Sequence, residues 1–250
     1  MAKFSTWDGL ELNYTVWEGE GVPVVLQHGI VADTNANWMS VGVVAALRRA
    51  GHQVISLDAR GHGRSEKPHD PARYSWRFMA DDMRALFDHL ALDRVALVGY
   101  SMGGIISLLV AAEDERLERL AIGGIGSGVV DCGGIDWRVI NAEDIVTAMS
   151  GNVTDAVPQA RMFRILADAL GTDREAIAAV AQGINEAPIE TLSTITIPTL
   201  VLAGDADPFA AEPERLAAAL PDAQCVVVPG DHLAAVADPG FSAALVDFLK

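Results

Sequence analysis

"VALVGYSMGG", residues 95–104, runs from a β-rich apolar stretch through Gly99 into Ser101, with Gly103 and Gly104 following. A strand that ends in G-x-S-x-G and leads directly into a helix-forming run needs a turn too tight for bulky β-carbons. Such a turn lifts the serine hydroxyl above the sheet edge. It also leaves the first N–H groups of the following helix free to meet a developing negative charge. The same glycine-serine pattern also suits a plain helix cap, so the serine needs a base and an acid elsewhere in the chain.

Working outward from this stretch, "PVVLQHG", "HQVISLDARG", "LERLAIGGIG", "PTLVLAGD" and "AQCVVVPG" repeat the pattern of a short apolar run closed by glycine or a polar turn. They read as buried strands. Between them, residues 41–50, 76–90, 102–112, 212–220 and 241–249 carry apolar residues at helical spacing. "LELNYTVWEG" alternates like a half-exposed strand. The expected fold is α/β: a mostly parallel central sheet with helices on both faces and an antiparallel hairpin at one edge. Residues 127–192 break the alternation with helical stretches such as "AEDIVTAMS", "QARMFRILADAL" and "REAIAAVAQGI". The chain therefore divides into a first core part (1–126), a helical insertion (127–192) and a second core part (193–250). An insertion leaving the C-terminal end of a strand is placed to cover a ligand site.

The base and acid can be sought at the other strand ends. His232 in "VVVPGDHLAAV" follows the last strand and precedes the last helix. His52 and His69 lie in polar loops, His89 on a helix and His62 in "RGHGRS", so His232 is the expected general base. "GDADPF" offers Asp205 and Asp207. Asp207 is favoured because Pro208 fixes the turn after it, which leaves Asp205 as a turn carboxylate. The loop "HGIVAD" after the first buried strand supplies the backbone N–H of Ile30, which with that of Met102 forms the expected oxyanion donor pair. His28 is expected to serve the backbone, not the chemistry.

Half of the 250 residues are hydrophobic, and the formal net charge is −16. Such a charge repels phosphate, which argues against nucleic-acid and anionic-membrane partners. Cys132 and Cys225 are far apart, and Cys225 lies in an apolar run, so a buried free thiol at Cys225 and a reducing, cytoplasmic setting are expected. No leader-like apolar block opens the sequence. "GGIGSGV" lacks the last glycine of a dinucleotide fingerprint, and no paired C-x-x-C, H-E-x-x-H or P-loop pattern occurs. No cofactor or metal is expected.

With "HGI", "DARGHGRSEKP", "GYSMGG", "GDADP" and "GDH" in this order, the chain resembles the α/β-hydrolase superfamily, in particular its small capped esterase-like members. The resemblance implies Ser101 as nucleophile, His232 as base, Asp207 as acid, a structural role for "DARGHGRS" and a substrate-choosing cap at 127–192. Trp38, Tyr100, Trp137, Met149, Met162, Phe163 and Leu166 are the candidate pocket residues, and Arg138, Arg161 and Arg164 the cations available to them. The expected substrate is a small, largely apolar carboxylic ester. Perhydrolase, lactonase and carbon–carbon hydrolase chemistry share the same residues. A ligand receptor with a residual triad is the alternative of another class.

Overall fold

In the computed structural model, which describes residues 2–151, 153–184, 188–189 and 191–250, the chain forms one eight-stranded sheet. Its strands are β1 (Ala2–Ser5), β2 (Glu11–Trp17), β3 (Glu20–Gln27), β4 (His52–Leu57), β5 (Val95–Tyr100), β6 (Leu117–Gly123), β7 (Thr199–Gly204) and β8 (Ala223–Val228). The spatial order is β1-β2-β4-β3-β5-β6-β7-β8. β1 pairs antiparallel with β2, and β2 with β4; every other pairing is parallel. The hairpin at one edge and the mostly parallel sheet are as expected.

Successive side chains of a strand point to opposite faces, and this alternation builds two cores. Val25, Val95, Leu97, Ile122 and Val201 face one side, packed with α2 (Trp76–His89) and α3 (Met102–Glu113). Val24, Leu26, Val98, Leu200 and Leu202 face the other, packed with α1 (Val43–Arg49) and the last helix, Pro239–Phe248. That last helix begins two residues earlier than its apolar pattern suggests. The Asp238 carboxylate caps it by accepting from Gly240 N, and Pro239 takes the first helical position.

Between β6 and β7 the chain leaves the sheet and forms α4 (Ser127–Cys132), α5 (Ala142–Ser150), α6 (Pro158–Leu170) and α7 (Arg174–Gly183). The remaining helices are α8 (Pro213–Ala219) and α9 (Pro239–Phe248). Cys225 is half-buried, not buried as its apolar run suggests, because β8 is an edge strand. Among the described residues no helix is long and apolar enough to cross a membrane.

The strand order reverses at β3, whose neighbours are β4 on one side and β5 on the other. Loops leaving the C-terminal ends of β3 and β5 diverge there and open a crevice, the usual ligand position in a parallel sheet.

Candidate active site

Ser101 leaves β5 at this crevice with φ 56° and ψ −118°, a left-handed conformation that a residue with a β-carbon rarely adopts. The glycines around it are steric necessities. A β-carbon on Gly99 would lie 2.1 Å from the Gly103 carbonyl oxygen, and one on Gly103 would lie 2.0 Å from that of Gln27. Ser101 N–H donates to Gly123 O at 2.7 Å, so the turn is stitched to the neighbouring strand. Met102 is the first residue of α3, and its N–H therefore has no acceptor within the helix.

His232 and Asp207 converge on the serine. The His232 Nε2 lies 3.0 Å from Ser101 Oγ, and its Nδ1 lies 2.8 Å from Asp207 Oδ2. The carboxylate leaves Nδ1 as the protonated nitrogen and Nε2 as an acceptor for the serine hydroxyl. Asp207 splits its two oxygens between tasks: Oδ1 accepts from Phe209 N at 2.9 Å and caps the turn at Pro208–Ala210, while Oδ2 holds the imidazole. Asp205 does something else. Its Oδ1 accepts from Gly230 N at 2.9 Å, tying the loop after β7 to the loop after β8. The imidazole is boxed by the rings of Phe209 (4.7 Å), Tyr100 (5.3 Å) and Phe163 (6.2 Å). The Tyr100 hydroxyl donates to the His232 carbonyl at 2.7 Å and fixes its backbone.

The loop after β3 is held as firmly. Asn37 Oδ1 accepts from Gly29 N at 2.9 Å. The fully buried His28 accepts from Ala59 N at Nε2 (3.0 Å), so its Nδ1 carries the proton and donates to Gly29 O (2.8 Å). Burial pushes its imidazole below the ordinary pKa, consistent with this neutral form. The carbonyl it holds belongs to the same peptide plane as the Ile30 N–H. A β-carbon on Gly29 would press on Ser101 Cβ at 3.2 Å, so the loop passes as close to the serine as a glycine permits.

The segment "DARGHGRS" is a structural turn, as the resemblance implies. Asp58 accepts from Thr34 N, Arg64 N and Asn13 Nδ2, all at 3.0 Å. Arg60 is fully buried against both oxygens of Asp82, each at 2.7 Å. His62 donates to Arg60 O, and burial beside His28 pushes its pKa down to about 3.

Two clefts meet at Ser101. The first has an almost wholly aliphatic wall, with Ile105, Ile125, Val129, Ile140, Ile145 and Ile184 around Met102 and Phe209. Among the described residues its charged lining residue is Asp136, whose carboxyl the Arg138 guanidinium at 2.7 Å holds below the usual carboxylate range. The second is lined by His232, Asn37, Tyr100, Leu166 and Leu233. Ile30, Ser101 and Phe163 border both.

Of the seven pocket candidates, Phe163, Leu166 and Tyr100 therefore line these two clefts, and Trp38, Trp137, Met149 and Met162 are not among their described lining residues. Trp38 is fully buried in the core beneath α1, edge-on to Tyr100. Trp137 is 66% exposed. Met149 is buried, and Met162 half-buried, in the apolar packing to which the helices between β6 and β7 contribute. The isoleucines that do the lining were missed, since an isoleucine at helical spacing reads as core. None of the three candidate cations lines a cleft itself: Arg138 binds Asp136 of the first cleft's wall, Arg161 binds Ala156 O, and Arg164 binds Ala148 O and Asp168. Among the described residues no group of three His, Cys, Asp or Glu side chains could hold a metal ion.

The family described as the alpha/beta hydrolase fold matches residues 22–127. An sn-1-specific diacylglycerol lipase of Danio rerio is 33% identical over 116 residues, which are 45% of this chain and 35% of that protein. The chain thus spans about a third of the length of the curated relatives it first matches. Among solved structures, a hydrolase from Pseudomonas aeruginosa aligns over 99% of this chain and 97% of its own, with 28% identity and a TM-score of 0.76. The enol-lactonase from Burkholderia xenovorans aligns over 99% of both chains, with 26% identity and a TM-score of 0.74. Sheet order, serine turn and these similarities together give the chain the α/β-hydrolase fold.

Proposed function

We propose that this protein is a serine hydrolase that cleaves small, largely apolar carboxylic esters through an acyl-enzyme. The observation that carries the reading is the unbroken run of contacts from Asp207 through His232 to Ser101, at 2.8 and 3.0 Å. Ser101 Oγ attacks the ester carbonyl carbon while His232 Nε2 takes its proton. The Asp207 carboxylate stabilises the imidazolium that results. The negative oxygen of the tetrahedral intermediate is received by the N–H groups of Ile30 and Met102. As the C–O bond breaks, His232 returns the proton to the departing alcohol. Water then attacks the acyl-serine, gives a proton to His232, and Ser101 leaves as the hydroxyl, releasing the acid. No cofactor takes part in these steps.

The two clefts fit the two arms of an ester. His232 must reach the leaving oxygen and lines only the second cleft, so the alcohol belongs there. The acyl group belongs in the first, where an aliphatic wall favours a modest apolar chain and the wall's described lining supplies no free cation for an anionic one. Residues 127–192 then act as the cap that selects the acyl group. A lactone, as in the enol-lactonase similarity, is a cyclic ester open to the same steps.

The test is hydrolysis of a short p-nitrophenyl ester. The wild type is expected to turn it over, and Ser101→Ala to lose at least about a thousandfold in kcat. A wild-type rate equal to that of Ser101→Ala would replace this reading with that of a ligand receptor.

A further inference from the structure

We propose that Thr172, in the turn between α6 and α7, is a positioning residue that holds the Ile30 oxyanion donor in place through Val31. This rests on the hydrolase reading above and adds a residue that acts only through the loop. Val31 has φ 72°, in the left-handed region, and it is β-branched and buried. A β-branched residue persists there only where its surroundings over-determine it. Upstream of it, Asn37 and His28 fix both sides of Gly29. Downstream, the Thr172 hydroxyl donates to the Val31 carbonyl at 3.2 Å across 141 residues of sequence. Only the dihedral angles of Ile30 and Val31 separate that tethered carbonyl from the Ile30 N–H. If Val31 relaxed to a negative φ, the peptide carrying this N–H would turn away from the Ser101 oxyanion.

Thr172 is itself fixed. Gly171 ends α6 in a left-handed conformation, Thr172 N donates to Ala167 O at 2.9 Å, and Asp173 next to it caps α7 through Ala176 N at 3.1 Å. The helix it closes also carries Phe163 and Leu166 into the clefts. One helix thus touches the ligand space along its length and grips the oxyanion loop at its end.

The experiment is a cycle of Thr172→Val, Val31→Gly and the double variant, with Thr172→Ser and Ser101→Ala as companions, all assayed on the p-nitrophenyl ester. Valine keeps the shape of threonine and removes the donor. Loss of one neutral hydrogen bond to the transition-state geometry is expected to lower kcat about threefold to tenfold, with KM within about twofold. Thr172→Ser, which keeps the hydroxyl, restores the rate. Glycine adopts positive φ without strain, so in the Val31→Gly background Thr172→Val is expected to cost less than about twofold. Thermal unfolding of each variant verifies that it is folded. An unchanged kcat in Thr172→Val, or an equal fall in both backgrounds, would overturn the tether while leaving the hydrolase reading intact. Wild-type turnover no faster than that of Ser101→Ala would overturn both.

Discussion

The C-terminal edge of the sheet and the helices α4–α7 above it contribute to the same clefts by opposite means. At the sheet edge, polar groups meet partners brought in from remote segments: Ser101 with His232, Asp207 with His232, Asp205 with Gly230, His28 with Ala59. Each bond constrains both a position and an atom type, so few replacements keep it. In α4–α7 the lining is aliphatic, and its polar ties stay mostly within the segment, as in Arg164 on Ala148 O. Aliphatic contacts are non-directional, so such a wall can change shape through substitutions of similar volume. On the proposed reading, the edge sets the reaction and the helices set the size of the acyl group.

The largest test of this contrast compares two neighbouring carboxylates. Asp207→Asn is expected to lower kcat about a thousandfold or more, because the amide can impose the wrong imidazole tautomer. Asp205→Asn keeps an acceptor for Gly230 N and is expected to stay within about tenfold of the wild type. The reverse ranking in steady-state assays would reassign the acid. A middle-sized effect is expected on the helical side. Ile145→Phe, on α5 in the first cleft, should shift the ratio of kcat/KM for an acetyl over a hexanoyl p-nitrophenyl ester by about tenfold toward acetyl, without abolishing turnover. An unchanged ratio would remove the first cleft from acyl selection.

The smallest effect concerns the buried imidazoles behind the edge. His62 has a folded pKa of about 3, below its unfolded value near 6.5, so from pH 6.5 downward the unfolded chain binds a proton that the folded one refuses. Stability therefore falls as pH falls across that window, by at most about 1.4 kcal/mol per pH unit. His62→Asn keeps a donor for Arg60 O and does not titrate. Its urea-unfolding free energy is expected to depend less steeply on pH between 6.5 and 4.5 than that of the wild type. Equal slopes would mean that His62 is not the group responsible.

How far the sequence could be read follows the same division. The serine turn with Gly99 and Gly103, and the meeting of Ser101, His232 and Asp207, were legible because such a turn and a serine in need of a base and an acid each demand particular residue types at particular strand ends. The pairing of Asp207, and not Asp205, with His232 followed from Pro208 fixing the turn and from the room the loop has to bend toward His232. The lining was not legible. Trp38, Trp137, Met149 and Met162 have the composition of ligand contacts. Yet whether a helical position faces a cleft, a core or solvent depends on helix rotation and on which face meets the sheet, and neither is encoded locally. The left-handed backbone at Val31 was equally hidden, because its cause is tertiary: a hydroxyl from Thr172 far along the chain.

The order in which the site's parts occur along the chain also matters during synthesis. Ile30 and Ser101 are made long before Asp207 and His232, and β7 and β8, which present the last two, join the sheet at its far edge. A nascent chain carrying the serine elbow alone holds an ordinary alcohol, chemically inert toward esters in the cell. On the hydrolase reading proposed above, reactivity arises only when the final strands dock, and turnover then reports that β7 and β8 have joined the sheet.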